Sequence, residues 1–379
     1  MSETQKHTKP NVPNLRFPGF SGEWKCSKLS TYLYENKERN RAGEFNKSDV
    51  LSVSGDCGIV NQIELLGRSF AGKSVADYHV VRTGNIVYTK SPLKEYPYGI
   101  VKYNSGKDGI VSTLYAVYHH RENVNGRFVE HYFTSPQRTN RYFKPIVRIG
   151  AKHDMKIGNN EVLDNTVLFP NLEEQNKITE LLDLLDKRIA IQNKVIEKYE
   201  SLIKALAYET IGNYTPNTLL SECVRCSSST LKESDLAEEG AVPAYGAAGL
   251  SGFTDAALVK GDSILITKDG SGFGTLRYVH GPHSFVGTLN SMTPSEGVYL
   301  PYIYYALQNV CFESYRTGQA IPHIYFKDYG KETIYCPATN DQKRLAKGLE
   351  MIDTKIEIER AFLQNLHSAK AFLLSAMFI

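Results

Sequence analysis

The sequence predicts an α+β protein in which two globular domains are separated by two long antiparallel coiled-coil helices. Three observations predict this fold class. Residues Pro170–Leu206 match Pro337–Leu373 at a constant offset of 167 positions, both segments have the apolar spacing of a long helix, and the residues between them contain glycine-bounded β-prone runs. The predicted boundaries are 1–170 and 212–338 for the globular regions, and 171–211 and 339–379 for the helices.

The first globular region is the more basic of the two. It carries a net charge of +8, against −2 for 171–211, −4 for 212–338 and +1 for 339–379, which sums to the net +3 of the chain. Basic and aromatic residues interleave in this region, a mixture that suits a phosphate backbone and base edges. The acidic second region would have to concentrate its few cations on one face to bind the same partner.

Each helix segment carries a coiled-coil seam in which steps of three and four alternate. In both copies one slot of the seam is polar, and the two polar slots are related by the same offset. A pairing of the two helices would therefore bury both polar residues together, whereas the alternative is two unrelated helices, each packed on its own domain. The seam residues are Ile178, Leu182, Leu185, Ile189, Gln192 and Ile196 in the first copy and Leu345, Leu349, Ile352, Ile356, Glu359 and Leu363 in the second.

The two globular regions share a weaker pattern. Both Gly84–Lys90 and Gly261–Lys268 contain a turn glycine, an apolar strand and a final Thr-Lys. The chain is therefore predicted to be a duplicated unit with pseudo-two-fold organisation, in which the helices stayed alike and the globular parts diverged.

Composition excludes several protein classes. The 41% apolar and 22% charged residues are typical of a globular protein, and six cysteines over 379 residues do not indicate a secreted disulfide scaffold. The first residues lack the apolar run of a signal peptide, and the most apolar segment, Ala371–Ile379, is too short to span a membrane. A cytoplasmic protein without membrane contact is expected.

Motifs for catalysis and metal binding are weak. Gly67–Ser74 matches the P-loop pattern, but the strand before it and the helix after it, which would bind phosphate, are not predicted. Cys223 and Cys226 have the spacing of a zinc half-site without a second pair. We therefore expect no catalytic or metal-binding residues, and the alternatives are a nucleotide-hydrolysing enzyme using residues 67–74 or a coiled-coil scaffold that binds only protein.

The whole chain resembles the DNA-specificity subunit of a type I restriction-modification system. The motifs that carry this resemblance are Pro13–Phe20 followed by Gly22-Glu-Trp24, as in staphylococcal-type members, and Leu168–Ile178 at the start of the first helix, with Tyr335–Leu345 as its counterpart. Asp341 replaces the usual glutamate in the second copy. Arg148–Lys156 and Arg316–Ile324 resemble the glycine-containing loop that precedes each helix in this family.

The resemblance implies a function without catalysis in this chain. Each globular region would be a target-recognition domain reading one half of an asymmetric bipartite site in double-stranded DNA, and the helices would set the distance between the halves. The helices would also bind two modification subunits, which would supply S-adenosylmethionine chemistry, and through them the restriction subunits. This chain would hold no cofactor and would work in the bacterial cytoplasm at the nucleoid.

Polar and aromatic residues in the predicted turns are the candidate DNA contacts. They are Lys73, Ser74, Lys90, Ser91, Tyr96, Lys152, His153 and Lys156 in the first domain and Tyr245, Lys268, Ser271, Arg277, Arg316, Gln319, His323 and Lys327 in the second.

Overall fold

The computed structural model describes residues 10–72, 74–93, 95–149, 155–319 and 321–379, which form two compact units. Unit 1 comprises the described residues up to Ala190 together with Gln364–Ile379, and unit 2 comprises Ile191–Leu363. Each unit contains one globular domain and part of both long helices. The predicted combination of two globular domains and two long helices is confirmed.

The first domain and the first long helix occupy the chain up to Ala207. The strands are β1 (Lys25–Lys28), β2 (Leu33–Glu35), β3 (Leu51–Ser54), β4 (Gly58–Asn61), β5 (His79–Val81), β6 (Ile86–Tyr88), β7 (Val101–Tyr103), β8 (Gly109–Val111), β9 (Ala116–His120), β10 (Arg148–Ile149), β11 (Met155–Lys156) and β12 (Thr166–Phe169). The helices are α1 (Gln62–Leu66), α2 (Gly126–Phe133), α3 (Pro136–Phe143) and the long α4 (Leu172–Ala207).

The second domain and the second long helix follow a short π-helical turn at Tyr208–Gly212. The strands are β13 (Thr218–Leu219), β14 (Val224–Ser228), β15 (Val242–Gly246), β16 (Gly249–Thr254), β17 (Ser263–Thr267), β18 (Leu276–Val279), β19 (Ser284–Phe285), β20 (Leu289–Pro294) and β21 (Thr333–Ile334). The helices are α5 (Leu220–Cys223), α6 (Leu300–Leu307), α7 (Phe326–Tyr329) and the long α8 (Thr339–Ala376).

The two domains are built around the same antiparallel sheet. In the first domain the strand order is β2-β9-β6-β7, and in the second it is β14-β20-β17-β18. A two-stranded ladder precedes each long helix, β1 with β12 and β13 with β21. The weak sequence pattern that ends in Thr-Lys therefore marks the equivalent inner strands β6 and β17, which shows that the unit is duplicated.

The two long helices pair in antiparallel fashion within each unit. In unit 1 the early part of α4 meets the end of α8, where the ammonium of Lys370 pairs with the Asp186 carboxylate. In unit 2 the later part of α4 meets the middle of α8, where Gln192 Nε2 donates to the Glu359 side chain and, at 3.2 Å, to its carbonyl oxygen. The polar residues at the two equivalent seam slots therefore satisfy each other, which avoids burying an unpaired amide.

The structure buries the predicted seam. Ile178, Leu182, Ile189, Gln192, Ile196, Leu349 and Ile356 are buried, and Leu185, Leu345, Ile352, Glu359 and Leu363 are half-buried. Alternating steps of three and four keep these positions on one helix face, which is why a sequence repeat alone predicts their common orientation.

Each long helix is joined to its own domain by one buried glutamine. Gln175 Oε1 accepts a hydrogen bond from the Asn125 N–H just before α2 at 3.0 Å, and Gln342 Oε1 accepts one from the Tyr299 N–H before α6 at 2.8 Å. Both side-chain amides also donate to the carbonyl of the proline five residues earlier. These two glutamines are equivalent under the 167-residue offset, so the repeated Gln has the same structural role twice.

Substitution of Gln342 by alanine tests this role. We expect a loss of about 1–2 kcal/mol in the unfolding free energy of unit 2, because two partly buried backbone groups, the Tyr299 N–H and the Pro337 carbonyl, would lose their partner. Thermal unfolding followed by circular dichroism measures the loss. The control is Lys347→Ala, since Lys347 is exposed on the part of α8 that belongs to unit 2, and equal effects of the two substitutions would contradict the assignment.

The end of α8 and the residues that follow it complete the core of the first domain. Phe378 packs among Trp24, Phe128 and Tyr132, with ring centroids 5.4–6.3 Å apart. The Leu15 N–H donates to the Ala376 carbonyl at 2.8 Å. Residues near both ends of the sequence therefore belong to one hydrophobic core in unit 1.

Candidate functional site

Two loops of the second domain, predicted separately from sequence, lie side by side in unit 2. The first follows β17. The second is described for residues 316–319 and 321–324 and forms a hairpin in which Thr317 and His323 exchange backbone hydrogen bonds of 2.8 and 2.9 Å. Lys268 accepts a backbone hydrogen bond from Ile324 at 3.0 Å, which joins the two loops. We refer to Lys268, Asp269, Arg316, His323 and Lys327 as the second-domain loop cluster.

The hairpin depends on a glycine at its turn. Gly318 has a φ of +81°, and a Cβ atom there would lie 2.4 Å from the Ile321 carbonyl oxygen. A larger residue would be strained by its backbone conformation and would collide with backbone. The local backbone conformation of the Arg316–Ile324 loop therefore requires glycine at position 318.

His323 is held in one orientation by its neighbours. Its Nδ1 lies 2.7 Å from Asp269 Oδ1, and the Tyr325 ring packs edge-on against the imidazole with centroids 4.3 Å apart. Because Nδ1 is engaged by the carboxylate, Nε2 is the ring atom that remains for a ligand. The imidazole borders a polar cavity of about 390 Å³ that Lys268, Asn290 and Lys327 also line.

Three cationic side chains surround this cavity or lie beside it. The Lys327 ammonium lies 5.0 Å from the Tyr325 ring centroid, and the Arg316 guanidinium lies 5.8 Å from that of Phe273 while pairing with Glu313 at 3.0 Å. The Lys327 ammonium on the Tyr325 ring keeps its charge available to a polyanion, whereas Arg316 would have to exchange Glu313 for a phosphate. The arrangement of cations, exposed Tyr325 and an oriented imidazole suits contacts with phosphates and base edges.

The other candidates of the second domain are distributed differently. Gln319 is exposed on the same hairpin, and Ser271 lines a neighbouring groove with Phe273. Tyr245 and Arg277 line a separate groove together with Glu350 of α8. The structure thus brings five candidates together on the two adjoining loops and the start of α7. Ser271 belongs to the first loop but lines the neighbouring groove, and Tyr245 and Arg277 lie outside both loops. The five are Lys268, Arg316, Gln319, His323 and Lys327.

The first domain has an equivalent hairpin. Strands β10 and β11 pair Arg148 with Lys156, and both side chains are exposed. Arg148 opens this hairpin as Arg316 opens the second-domain one. Lys152 and His153, together with Lys73, lie outside the described residues.

The Lys90 side chain is hydrogen-bonded within the first domain. Its ammonium donates to the Ile157 carbonyl at 3.0 Å and to Asn159 Oδ1 at 2.6 Å, and burial lowers the pKa of this lysine. Asn159 in turn donates to Glu35 Oε1 at 2.7 Å. Lys90 therefore positions the segment after β11, whereas Lys268, at the equivalent position of the sequence pattern, belongs to the second-domain loop cluster.

Tyr96 also has a structural role. Its hydroxyl donates to the Thr134 carbonyl, and burial raises the pKa of the phenol. Ser91 is half-buried, and Ser74 is exposed with its Oγ accepting from the Ala76 N–H at 3.3 Å. For the first domain, the candidates that remain on an exposed described surface are Ser74 and Lys156.

Sequence reasoning missed Asp269 and Tyr325. Asp269 directly follows the predicted Thr-Lys, and Tyr325 lies directly after the family-like loop, but nothing local indicates that they flank His323. The role of Asp269 depends on a contact with His323, which is 54 residues away in the sequence, whereas Tyr325 packs on His323 from only two residues away. A periodic pattern cannot reveal such a contact.

The nucleotide and zinc alternatives lack structural support. Gly67 ends helix α1, and the described residues after Ser74 lead into β5 with no helix between, which is the reverse of a phosphate-binding strand-loop-helix. Among the described residues, the group with metal-ligand proximity is His131, Asp183 and Asp186. In this group the Asp183 carboxylate is already paired with Arg127 and the Asp186 carboxylate with Lys370.

Comparison with known proteins agrees with the resemblance to DNA-specificity subunits that the sequence indicates. Residues 224–368 match the family model of the type I restriction modification DNA specificity domain. The S subunit of a type I restriction-modification system from M. genitalium is similar with a TM-score of 0.59 at 17% identity, covering 97% of this chain and 99% of that chain. A structure of the type I R-M system, solved to explain complex assembly and conformational transition, is similar with a TM-score of 0.51 at 15% identity, covering 96% and 98%.

No curated protein matches the chain. At these identities the solved structures show a shared fold across nearly the whole length. In the described part of the chain, no helix has the length and apolarity needed to cross a membrane.

Proposed function

We propose that this chain, which carries a type I restriction-modification DNA specificity domain within the fold of an S subunit, recognises an asymmetric bipartite DNA site. Each globular domain would read one half. The observation that carries the proposal is the repetition of one architecture, a four-stranded antiparallel sheet with an Arg-initiated hairpin beside it, with different side chains on the loops of each copy. Divergent loops on equivalent scaffolds favour two different half-sites.

The two long helices would act as the spacer between the half-sites. Helix α4 has 36 residues and α8 has 38, so each is roughly 54–57 Å long at 1.5 Å per residue. Successive major grooves on one face of DNA are about 34 Å apart. Helices of this length are sufficient to hold two readers on one duplex.

The chain would supply recognition and leave the chemistry to its partners. Modification subunits would bring S-adenosylmethionine and methylate the target, and restriction subunits would join through them and cleave DNA. The chain itself would bind no cofactor. The assembly would operate in the bacterial cytoplasm at the nucleoid.

A duplicated apolar stripe on the helices supports the binding of two copies of one partner. Leu184 and Ile191 on α4 lie seven residues apart on one helix face, and Met351 and Ile358 on α8 occupy the equivalent positions under the 167-residue offset. All four side chains are more than half exposed, although the seam beside them is buried. Two equivalent exposed stripes match two modification subunits per chain.

Charge substitutions in the stripes test this stoichiometry. Leu184→Glu with Ile191→Glu should reduce the number of bound modification subunits from two to one, as should Met351→Glu with Ile358→Glu, because each pair would introduce charge into one apolar contact. The four substitutions together should abolish assembly. Native mass spectrometry of the reconstituted complex counts the subunits.

The control places the same substitution at Leu250 and Leu258, which are equally exposed on the second domain. This variant should retain two modification subunits. A complex of unchanged composition with all four stripe substitutions would contradict the docking proposal.

Hydroxyl-radical footprinting of the assembled complex tests recognition. We expect two protected segments on the target, separated by an unprotected spacer. A protein-only scaffold would give no sequence-dependent footprint, and a single continuous protected segment would contradict the assignment of one half-site to each domain.

A further inference from the structure

A pair of cysteines lies where the second domain joins α8. Cys223 ends α5, and Cys336 follows β21 by two residues. The ladder between β13 and β21 brings the two segments together, with Thr218 opposite Ile334. Asn217 fixes the second segment further, because its Oδ1 accepts from the Cys336 N–H at 2.7 Å.

The two thiols contact each other in the hydrophobic core of this domain. Cys223 is buried within the hydrophobic cluster of this domain and Cys336 is half-buried against the same cluster, where the Cys223 thiol is a hydrogen-bond partner of Cys336. Gln342 Nε2 also donates to Cys336 Sγ at 3.5 Å. The bond from the Cys223 thiol lowers the pKa of Cys336 to about 7, and the same contact raises the pKa of Cys223.

We propose that Cys223 and Cys336 form a reversible disulfide when the protein meets a peroxide, which makes the base of the second domain a redox modification site. Cys336 is the attacking residue, because it is the more exposed of the two and the one whose thiolate is stabilised. Three further cysteines, Cys26, Cys57 and Cys311, are exposed. They provide an internal comparison for the reactivity of an ordinary surface thiol.

The oxidation requires only the two thiols and one molecule of hydrogen peroxide. The Cys336 thiolate attacks hydrogen peroxide, its sulfur becomes a sulfenic acid, and hydroxide leaves and takes up a proton to give water. The Cys223 sulfur then attacks the sulfenic sulfur, forming the S–S bond and releasing a second water as its proton is lost. Two thiols are oxidised and one peroxide is reduced to two waters. A dithiol then reduces the disulfide to the two thiols by exchange and is itself oxidised to a disulfide.

The crosslink would hold the second domain to the start of α8. It closes a loop that contains residues 224–335, which is nearly the whole of that domain. A covalent closure of this length restricts the unfolded chain and is expected to raise the unfolding temperature of unit 2 by about 5–10 °C.

Peroxide treatment of the reduced full-length chain tests the proposal. Of the six thiols in the sequence, four should remain titratable under denaturing conditions, and dithiothreitol should restore all six. Trypsin cleaves after Arg225 and so separates Cys223 from Cys226, which allows mass spectrometry to identify the linked peptides. A crosslink between Cys223 and Cys226, or six remaining thiols, would overturn the proposal.

Two serine variants serve as controls. Cys336→Ser should keep all five of its thiols after peroxide treatment and show no rise in unfolding temperature. Cys311→Ser, which changes an exposed cysteine outside the pair, should fall from five thiols to three. A loss of two thiols in Cys336→Ser would also overturn the assignment.

Discussion

Replacement of Phe378 by alanine is expected to lower the free energy of unfolding of unit 1 by about 3–5 kcal/mol. The ring is only 4% exposed and stacks on Phe128 with centroids 5.4 Å apart. Its face also meets the guanidinium of Arg138 at 4.6 Å, and burial lowers the pKa of that arginine to about 10. Truncation would leave a cavity in the core and remove one of the two aromatic rings that contact the buried Arg138 cation.

The chain provides both the reporter and the control for this measurement. Trp24 is the single tryptophan in the sequence and contacts the Phe378 ring, so its fluorescence follows the unfolding of unit 1 in urea. Phe372 lies on α8, six residues before Phe378, and is 63% exposed, so Phe372→Ala should cost less than about 1 kcal/mol. Similar losses for the two variants would contradict the closure of the first-domain core by the end of α8.

Simultaneous alanine substitution of Lys268, Arg316 and Lys327 is expected to weaken DNA binding by the assembled complex about 100-fold near 0.1 M salt. Each phosphate contact releases counterions, so the slope of log affinity against log salt should fall by up to about 3. Fluorescence anisotropy across a salt series measures both quantities. We expect this loss because Lys268 and Lys327 line one cavity and Arg316 begins the adjacent hairpin, in a domain that is otherwise acidic.

A matched triple variant separates position from net charge. Lys232, Lys260 and Lys331 are exposed lysines of the same domain outside the second-domain loop cluster. Their replacement by alanine removes the same three charges and should change the affinity by no more than a few-fold. Equal losses in both triple variants would indicate a general charge effect and would remove the loop cluster from the recognition surface.

The helices could be predicted closely from sequence because their geometry is periodic. The seam spacing placed Gln192 and Glu359 at equivalent slots, and in the structure these two residues hydrogen-bond to each other. The repeated glutamine before each seam likewise has the same contacts in both halves. A local period is sufficient for such features, since it fixes which residues share a helix face.

The recognition loops were harder to predict because their contacts are between distant segments. Lys90 and Lys268 end the same sequence pattern on equivalent strands, but Lys90 is bonded to Ile157 and Asn159, 67 and 69 residues away. Arg277 belongs to β18, where its position opposite Leu265 places it in a groove with Tyr245. The sequence showed that these residues are polar and lie near turns, but it did not show which of them share a surface.

Mapping of methylated adenines in cells that contain this chain and its modification subunits, and in cells that lack only this chain, tests the central claim most directly. We predict one asymmetric motif made of two short specific segments and a nonspecific spacer of fixed length, present only with the chain. A pattern that does not change when the chain is removed, or a motif without a spacer, would contradict the account.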